Sequence, residues 1–175
     1  MKPVYSKLAT AALLCSLGTT LHAAEVKVTW QEPDEYRDID PANQSRGAFR
    51  KQVFTNLEEY FNELAQDLPD DAVWDITVTN VDLAGQVWPA SFVGFGSTGG
   101  EVRLIKSVDI PRIAFSYTLT SGSGEVMKSA DVSIKDMGFM DGLTQRNHWD
   151  NLRYEKRMLK DWFNEELSQK QLSRQ

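Results

Sequence analysis

Trp74-Asp75-Ile76-Thr77-Val78-Thr79-Asn80-Val81-Asp82-Leu83-Ala84-Gly85 is the stretch on which the reading of the fold turns. It opens as an amphipathic strand, Trp74, Ile76 and Val78 alternating against Asp75, Thr77 and Thr79. The parity then changes. Val81 and Leu83 are the next apolar positions, so Asn80 and Asp82 fall where the buried phase would have continued. Strand side chains alternate faces strictly, so the slip needs a bulge, a twist or the end of pairing. Asn80 and Asp82, set on the nominally buried phase, need hydrogen bonds or a cation, and Arg112 or the basic turn of the C-terminal helix is the expected partner of Asp82.

Upstream of this strand the period is helical. Phe49, Val53, Leu57, Tyr60, Phe61, Leu64, Ala65 and Leu68 recur at spacings of three and four, which predicts a helix over Ser45–Leu68. Ser45 suits the N-cap, and Pro69 disfavours helical geometry at Leu68. Asp70 and Asp71 make the turn into Trp74. Before the helix, Val26, Val28 and Trp30 alternate as a short strand that Pro33 ends, and Glu32 to Ala42 reads as an acidic loop anchored by Tyr36. Asn43-Gln44-Ser45 spells a glycosylation sequon, which matters only in a eukaryotic secretory pathway.

Downstream, Gln86 to Gly100 reads as a loop in which Trp88, Phe92 and Phe95 are interleaved with glycines, an aromatic surface for a ligand or partner. Gly94 to Gly99 spells the dinucleotide fingerprint, but strand-like residues follow where the motif needs a helix N-terminus for the pyrophosphate. Val102 to Val108 reads as a strand. Ile113, Phe115, Tyr117 and Leu119, then Val126, Lys128, Ala130, Val132 and Ile134, alternate on either side of Ser121-Gly122-Ser123-Gly124, an antiparallel hairpin. Asp150 or Asn151 caps a second helix with a stripe of Leu152, Leu159, Trp162, Phe163 and Leu167, and Gln169 to Gln175 is a polar tail expected to fray. The expected fold is α+β: one domain over 24–175, a sheet of four or five mainly antiparallel strands, the long helix on one face and the second helix closing that face or an edge.

Residues 1–23 read as a secretory signal peptide, with basic Lys2 and Lys7, an apolar run from Leu8 to Leu17, and small residues up to a cut after Ala23. A lipid-attachment signal at Cys15 is disfavoured because Leu14, not a small residue, precedes it. Cleavage leaves 152 of the 175 residues and, with Lys2 and Lys7 gone, takes the formal charge from −6 to −8. Such acidity disfavours nucleic acid and anionic membranes, and no later run is long enough to span a bilayer. The expected location is the periplasm or another exported compartment. Cys15 is the only cysteine, so the mature chain has no thiol for disulfides, thiolate metal sites or nucleophilic attack. His148, the only imidazole left, reads as a surface residue at the start of the second helix. No cofactor or metal site is expected.

The second helix carries Arg153, Lys156, Arg157 and Lys160 in its first half and acids in its second, the reverse of what the helix dipole favours. Those cations are therefore expected to have partners: acids of the domain such as Asp136, Asp141 or Glu155, or an anionic ligand or an acidic protein surface. Asp82, Arg112, Asp136, Arg153 and Arg157 form the candidate binding cluster. Asp82 and Asp136, each at a strand end, are the candidate pair for carboxylate hydrolysis.

Val26-x-Val28-x-Trp30, Pro33 with Tyr36 and Asp38, Asp82-Leu83-Ala84-Gly85, Pro111-Arg112-Ile113, Lys135-Asp136-Met137-Gly138-Phe139 and Leu152-Arg153-Tyr154-Glu155-Lys156 with Asp161-Trp162-Phe163 occur in that order. This succession resembles domain-of-unknown-function family 3016, uncharacterised exported proteins of Gram-negative bacteria. The resemblance implies export and a single domain and brings no activity with it. The expected function is a non-enzymatic envelope protein binding a protein partner or an anionic small ligand. The alternatives are the Asp82/Asp136 hydrolase and a structural envelope factor without a discrete site.

Overall fold

The computed structural model describes residues 24–94, 99–141, 150–168 and 172. Among them the order is β1 (Glu25–Trp30), α1 (Arg46–Leu64), β2 (Val73–Asp82), β3 (Gln86–Pro89), β4 (Glu101–Leu104), β5 (Arg112–Thr120), β6 (Val126–Lys135) and α2 (Arg153–Glu166). Strands β1, β2, β5 and β6 make one sheet in the order β1-β2-β5-β6, and β3 and β4 make a separate two-stranded ribbon. Neighbours in the main sheet are antiparallel except β1 and β2, which are parallel. Parallel neighbours need a long crossover, and α1 supplies it.

The parity slip is a bulge. Val78 pairs with Phe115 and Asn80 with Ala114, so Thr79 is the extra residue on β2. Inserting one residue changes the phase, and Val81 becomes buried like Trp74, Ile76 and Val78 before it. The chain after β1 supports the bend. Tyr36 Oη donates to the Val78 carbonyl at 2.7 Å, and the Arg37 N–H donates to Asn80 Oδ1 at 3.1 Å.

Both helices pack on one face of the sheet. Trp74 is fully buried between them, edge-on to Phe61 of α1 at 5.6 Å and stacked on Trp162 of α2 at 6.4 Å. Trp162 also stands edge-on to Phe115 at 4.9 Å. The opposite face carries Asp75, Thr77, Ser116, Thr118, Ser129 and Asp131, all exposed or half-buried. A one-sided sheet of this kind explains the clean alternation of β2 and β5.

Several boundaries differ from those read in the sequence. Helix α1 begins after Ser45, whose hydroxyl accepts the Ala48 N–H, but it ends at Leu64 in a 3-10 turn over Ala65–Asp67. Leu68 is extended, as its position before Pro69 requires. The segment expected as a loop from Gln86 contains β3, a 3-10 turn at Ala90–Val93 and the approach to β4, and β4 stops at Leu104 instead of reaching Val108. The β5–β6 register shifts near Thr120, so Met127 packs against the core and Val126 is exposed. Asp150 Oδ1 accepts the Leu152 N–H just before α2. Of the polar tail only Leu172 is described, half-buried against the core. No helix among the described residues is long and apolar enough to cross a membrane.

Candidate functional site

The Asp82-Leu83-Ala84-Gly85 turn, where β2 leaves the sheet, is gripped from four directions. Asp82 forms a 2.8 Å ion pair with Arg112 of β5, its cross-strand neighbour, and a looser contact with Arg37 at 3.7 Å. The Leu83 N–H donates to the Asp38 carbonyl. Arg103 of β4 donates to the Ala84 and Gly85 carbonyls at 3.3 and 3.0 Å while binding both carboxylate oxygens of Asp38 at 2.9 and 3.1 Å. Glu155 of α2 accepts the Ala84 N–H at 2.7 Å. Gly85 has φ +81°, and a Cβ there would lie 2.5 Å from the Leu104 carbonyl oxygen, so only glycine fits.

Two cavities flank this turn. The larger part of one wall of the first is apolar, formed by Phe49 and Val53 of α1 with Leu83, Ile105 and Leu152. Its polar side chains are the amides of Asn43, Gln44, Gln52, Asn56 and Asn151, the Asp40 carboxylate, the Tyr154 hydroxyl and the guanidinium groups of Arg103 and Arg153. Its volume is about 510 Å³, within the ordinary range for small-molecule sites. The second cavity, about 530 Å³ and mostly polar, is lined by Arg37, Asp82, Trp88, Asp109 and Arg112.

Charge separates the two. In the second cavity Arg112 is taken by Asp82. In the first, Arg103 is taken by Asp38 and the carbonyls, and Asp40 by Arg46 at 2.7 Å. Arg153 differs. Every Asp and Glu of the chain lies among the described residues, and none comes within ion-pair distance of Arg153. Its guanidinium lies 4.4 Å from the Tyr154 ring centroid and donates to Tyr154 Oη at 2.9 Å and weakly to the Asp150 carbonyl. The other cations of that half-helix are occupied: Lys156 by Asp150 at 2.8 Å, Arg157 by Asp136 at 2.6 Å and Lys160 by Asp67 at 3.0 Å.

The residues singled out in the sequence do not share one cleft. Asp82 and Arg112 line the second cavity, Arg153 the first, and Asp136 and Arg157 a shallow cleft between β6 and α2. The reason is local: Asp136 folds back on its own turn, accepting the Gly138 N–H at 2.9 Å, and Arg157 reaches over to the Asp141 carbonyl. Asp82 and Asp136 are thus each held by a different arginine rather than facing one another. Of the three aromatics, Trp88 and Phe92 are described, and they differ. Trp88 is half-buried beneath Lys106, whose Nζ is 4.8 Å from the ring centroid, whereas Phe92 is 77% exposed. Phe95 and His148 lie outside the described residues.

Glu155, named from sequence only as a partner for cations, is the group that reading undervalued. It is 1% exposed, and its Oε2 is buried with no hydrogen-bond partner among the described residues. Burial pushes its carboxyl up to about 7, against the opposing pull of its backbone N–H donors and Arg103; Asp150 adds to the rise. The signal was present: Glu155 lies three residues after Leu152 and four before Leu159, on the apolar stripe itself. Arg103 and Asp38 gave no comparable signal, since their meeting depends on how the β3–β4 ribbon folds back. Among the described residues no group of three or more His, Cys, Asp or Glu is placed to hold a metal ion.

Residues 24–165 match the family described as "Protein of unknown function (DUF3016)". A search of curated proteins returns no match. The chain belongs to the DUF3016 family.

Proposed function

We propose that this DUF3016 protein is an exported, non-enzymatic binding protein whose first cavity takes a small amphipathic anion. The observation that carries the reading is Arg153: a half-buried guanidinium on the wall of an apolar-sided cavity, with no Asp or Glu within ion-pair distance. A buried or half-buried cation without a counter-charge is costly, and a ligand carboxylate would supply a charge-assisted, geometrically matched partner. The apolar wall from Phe49 to Leu152 would receive the hydrocarbon part of the ligand, and the amides of Gln44, Gln52, Asn56 and Asn151 would orient its polar head, Asn43 being engaged with the Glu101 backbone. Export is supported by the basic and apolar segment up to Ala23, and the family match that begins at Ala24 is consistent with a cut there.

Octanoate is a suitable probe, with octanol lacking the charge and acetate lacking the tail. Calorimetry at pH 6 is expected to show saturable binding of octanoate and much weaker binding of both controls. Arg153→Gln should weaken octanoate roughly tenfold or more, the magnitude of one charge-assisted hydrogen bond. Equal binding of octanoate and octanol, or an unaffected Arg153→Gln variant, would refute the assignment.

A further inference from the structure

Glu155 stands behind the lining of the proposed ligand site, bound to Ala84, which lines it. Ala84, Arg103, Leu152, Arg153 and Tyr154 line the cavity, and Glu155 is the next residue on α2, turned toward the 82–85 turn. Glu155 and Arg103 hold the two ends of one residue: Glu155 accepts from the Ala84 N–H, and Arg103 donates to the Ala84 carbonyl. Its second carboxylate oxygen is buried, and none of the described residues donates to it. The charged groups that act on Glu155 are Arg103 from β4, already shared with Asp38, and Asp150 from the segment before α2, already paired with Lys156. On its own helix Arg153 faces the cavity and the Tyr154 ring.

We propose that Glu155 is a proton-coupled positioning residue: an anion seated at Arg153 enters the cavity together with one proton, which the Glu155 carboxylate takes from solvent to become the neutral acid. The inference rests on reading the cavity as an anion site. Glu155 meets the cavity lining through Ala84, so an anion there adds a like charge that raises the carboxyl's affinity for a proton. Arg103 cannot neutralise both, since its donors are committed to Asp38 and to the carbonyls of Asp40, Ala84 and Gly85. Protonation removes the repulsion and leaves the carbonyl-type oxygen free to keep the Ala84 N–H. Because burial brings this carboxyl to about 7, the exchange falls near neutral pH. By reciprocity, the pH that favours the acid favours the ligand.

The test is calorimetric titration of octanoate into the wild-type chain and into Glu155→Gln, at pH 6.0 and 8.5, with a pH 7 titration in two buffers of different ionisation enthalpy. The wild type is expected to bind roughly tenfold tighter at pH 6.0, the effect of one unit of linked pKa shift, and to take up a fraction of a proton at pH 7. Glu155→Gln keeps the acceptor for Ala84 and is expected to bind with similar affinity at both pH values, without proton uptake. It also retains His148, so a pH dependence surviving in this variant would overturn the assignment to Glu155. Binding to the wild type that is the same at both pH values would overturn the coupling alone. No saturable binding to either chain would overturn the cavity reading and the coupling with it.

Discussion

At Glu155 a single carboxyl sits inside the protein because two features of its surroundings reduce the cost. It lies in the first turn of α2, where the helix dipole favours an acid, and it accepts the Ala84 N–H. Neither suffices to keep it ionised at the ordinary carboxylate value, and burial raises it to about 7. The sign of the consequence is fixed. The folded chain binds this proton more tightly than the unfolded chain, so the stability tied to it is complete below about pH 4.5 and is lost as pH rises to about 7. Between pH 5 and 8 the wild type should lose about 2–3 kcal/mol relative to Glu155→Gln in urea denaturation, from a shift of that size in a fully buried group. A constant difference between the two proteins across that range would contradict the account. Gly85 makes a second residue-scale prediction. Alanine there meets both a left-handed φ and the Leu104 carbonyl, so Gly85→Ala should destabilise by about 2–3 kcal/mol in the same assay.

Strand β2 shows how much an element can announce about itself. The phase change between Val78 and Val81 was legible because alternation is a strict geometric rule, and Thr79 is the residue that absorbs it. The pairing of Asp82 with Arg112 was legible for the same reason, since a carboxylate at a nearly buried position needs a cation and Arg112 opens the following long strand. Adding a residue beside Thr79 should therefore be far worse than shortening it. One alanine inserted between Thr79 and Asn80 would turn Val81 outward and is expected to cost more than about 4 kcal/mol or to prevent folding, whereas Thr79→Ala removes only an exposed hydroxyl that donates to the Ala114 carbonyl and should cost less than about 1 kcal/mol. Circular dichroism melts of the two variants would separate them. The β3–β4 ribbon was not legible. Its strands are four residues each, too short for a period to emerge, and the contacts that place Arg103 on Asp38 span 65 residues of sequence. Helix α2 falls between: its stripe located the core-facing side, and only the odd charge on that stripe marked Glu155.

On the scale of the whole molecule, two helices cover one face of a four-stranded sheet, and the turn that ends β2 is left at the rim of that layer. The ribbon, the segment from Tyr36 to Asp40 and the start of α2 converge on the turn, and the first cavity is the space they do not fill. That arrangement explains why cations scattered along the sequence end in separate clefts, and why Arg153 alone of its half-helix faces space instead of an acid. If the chain is exported as proposed, intact-mass measurement of the protein purified from its native compartment should show a chain beginning at Ala24; retention of Met1 to Ala23 would refute export by this route. The most direct test of the cavity is a titration of isotopically labelled protein with octanoate at pH 6, followed amide by amide. The account predicts shifts clustered at Leu83, Ala84, Arg103 and Leu152 to Tyr154, with Thr77 and Thr118 on the far face of the sheet unmoved. No shifts at millimolar octanoate, or shifts confined to the far face or to Phe92, would contradict it.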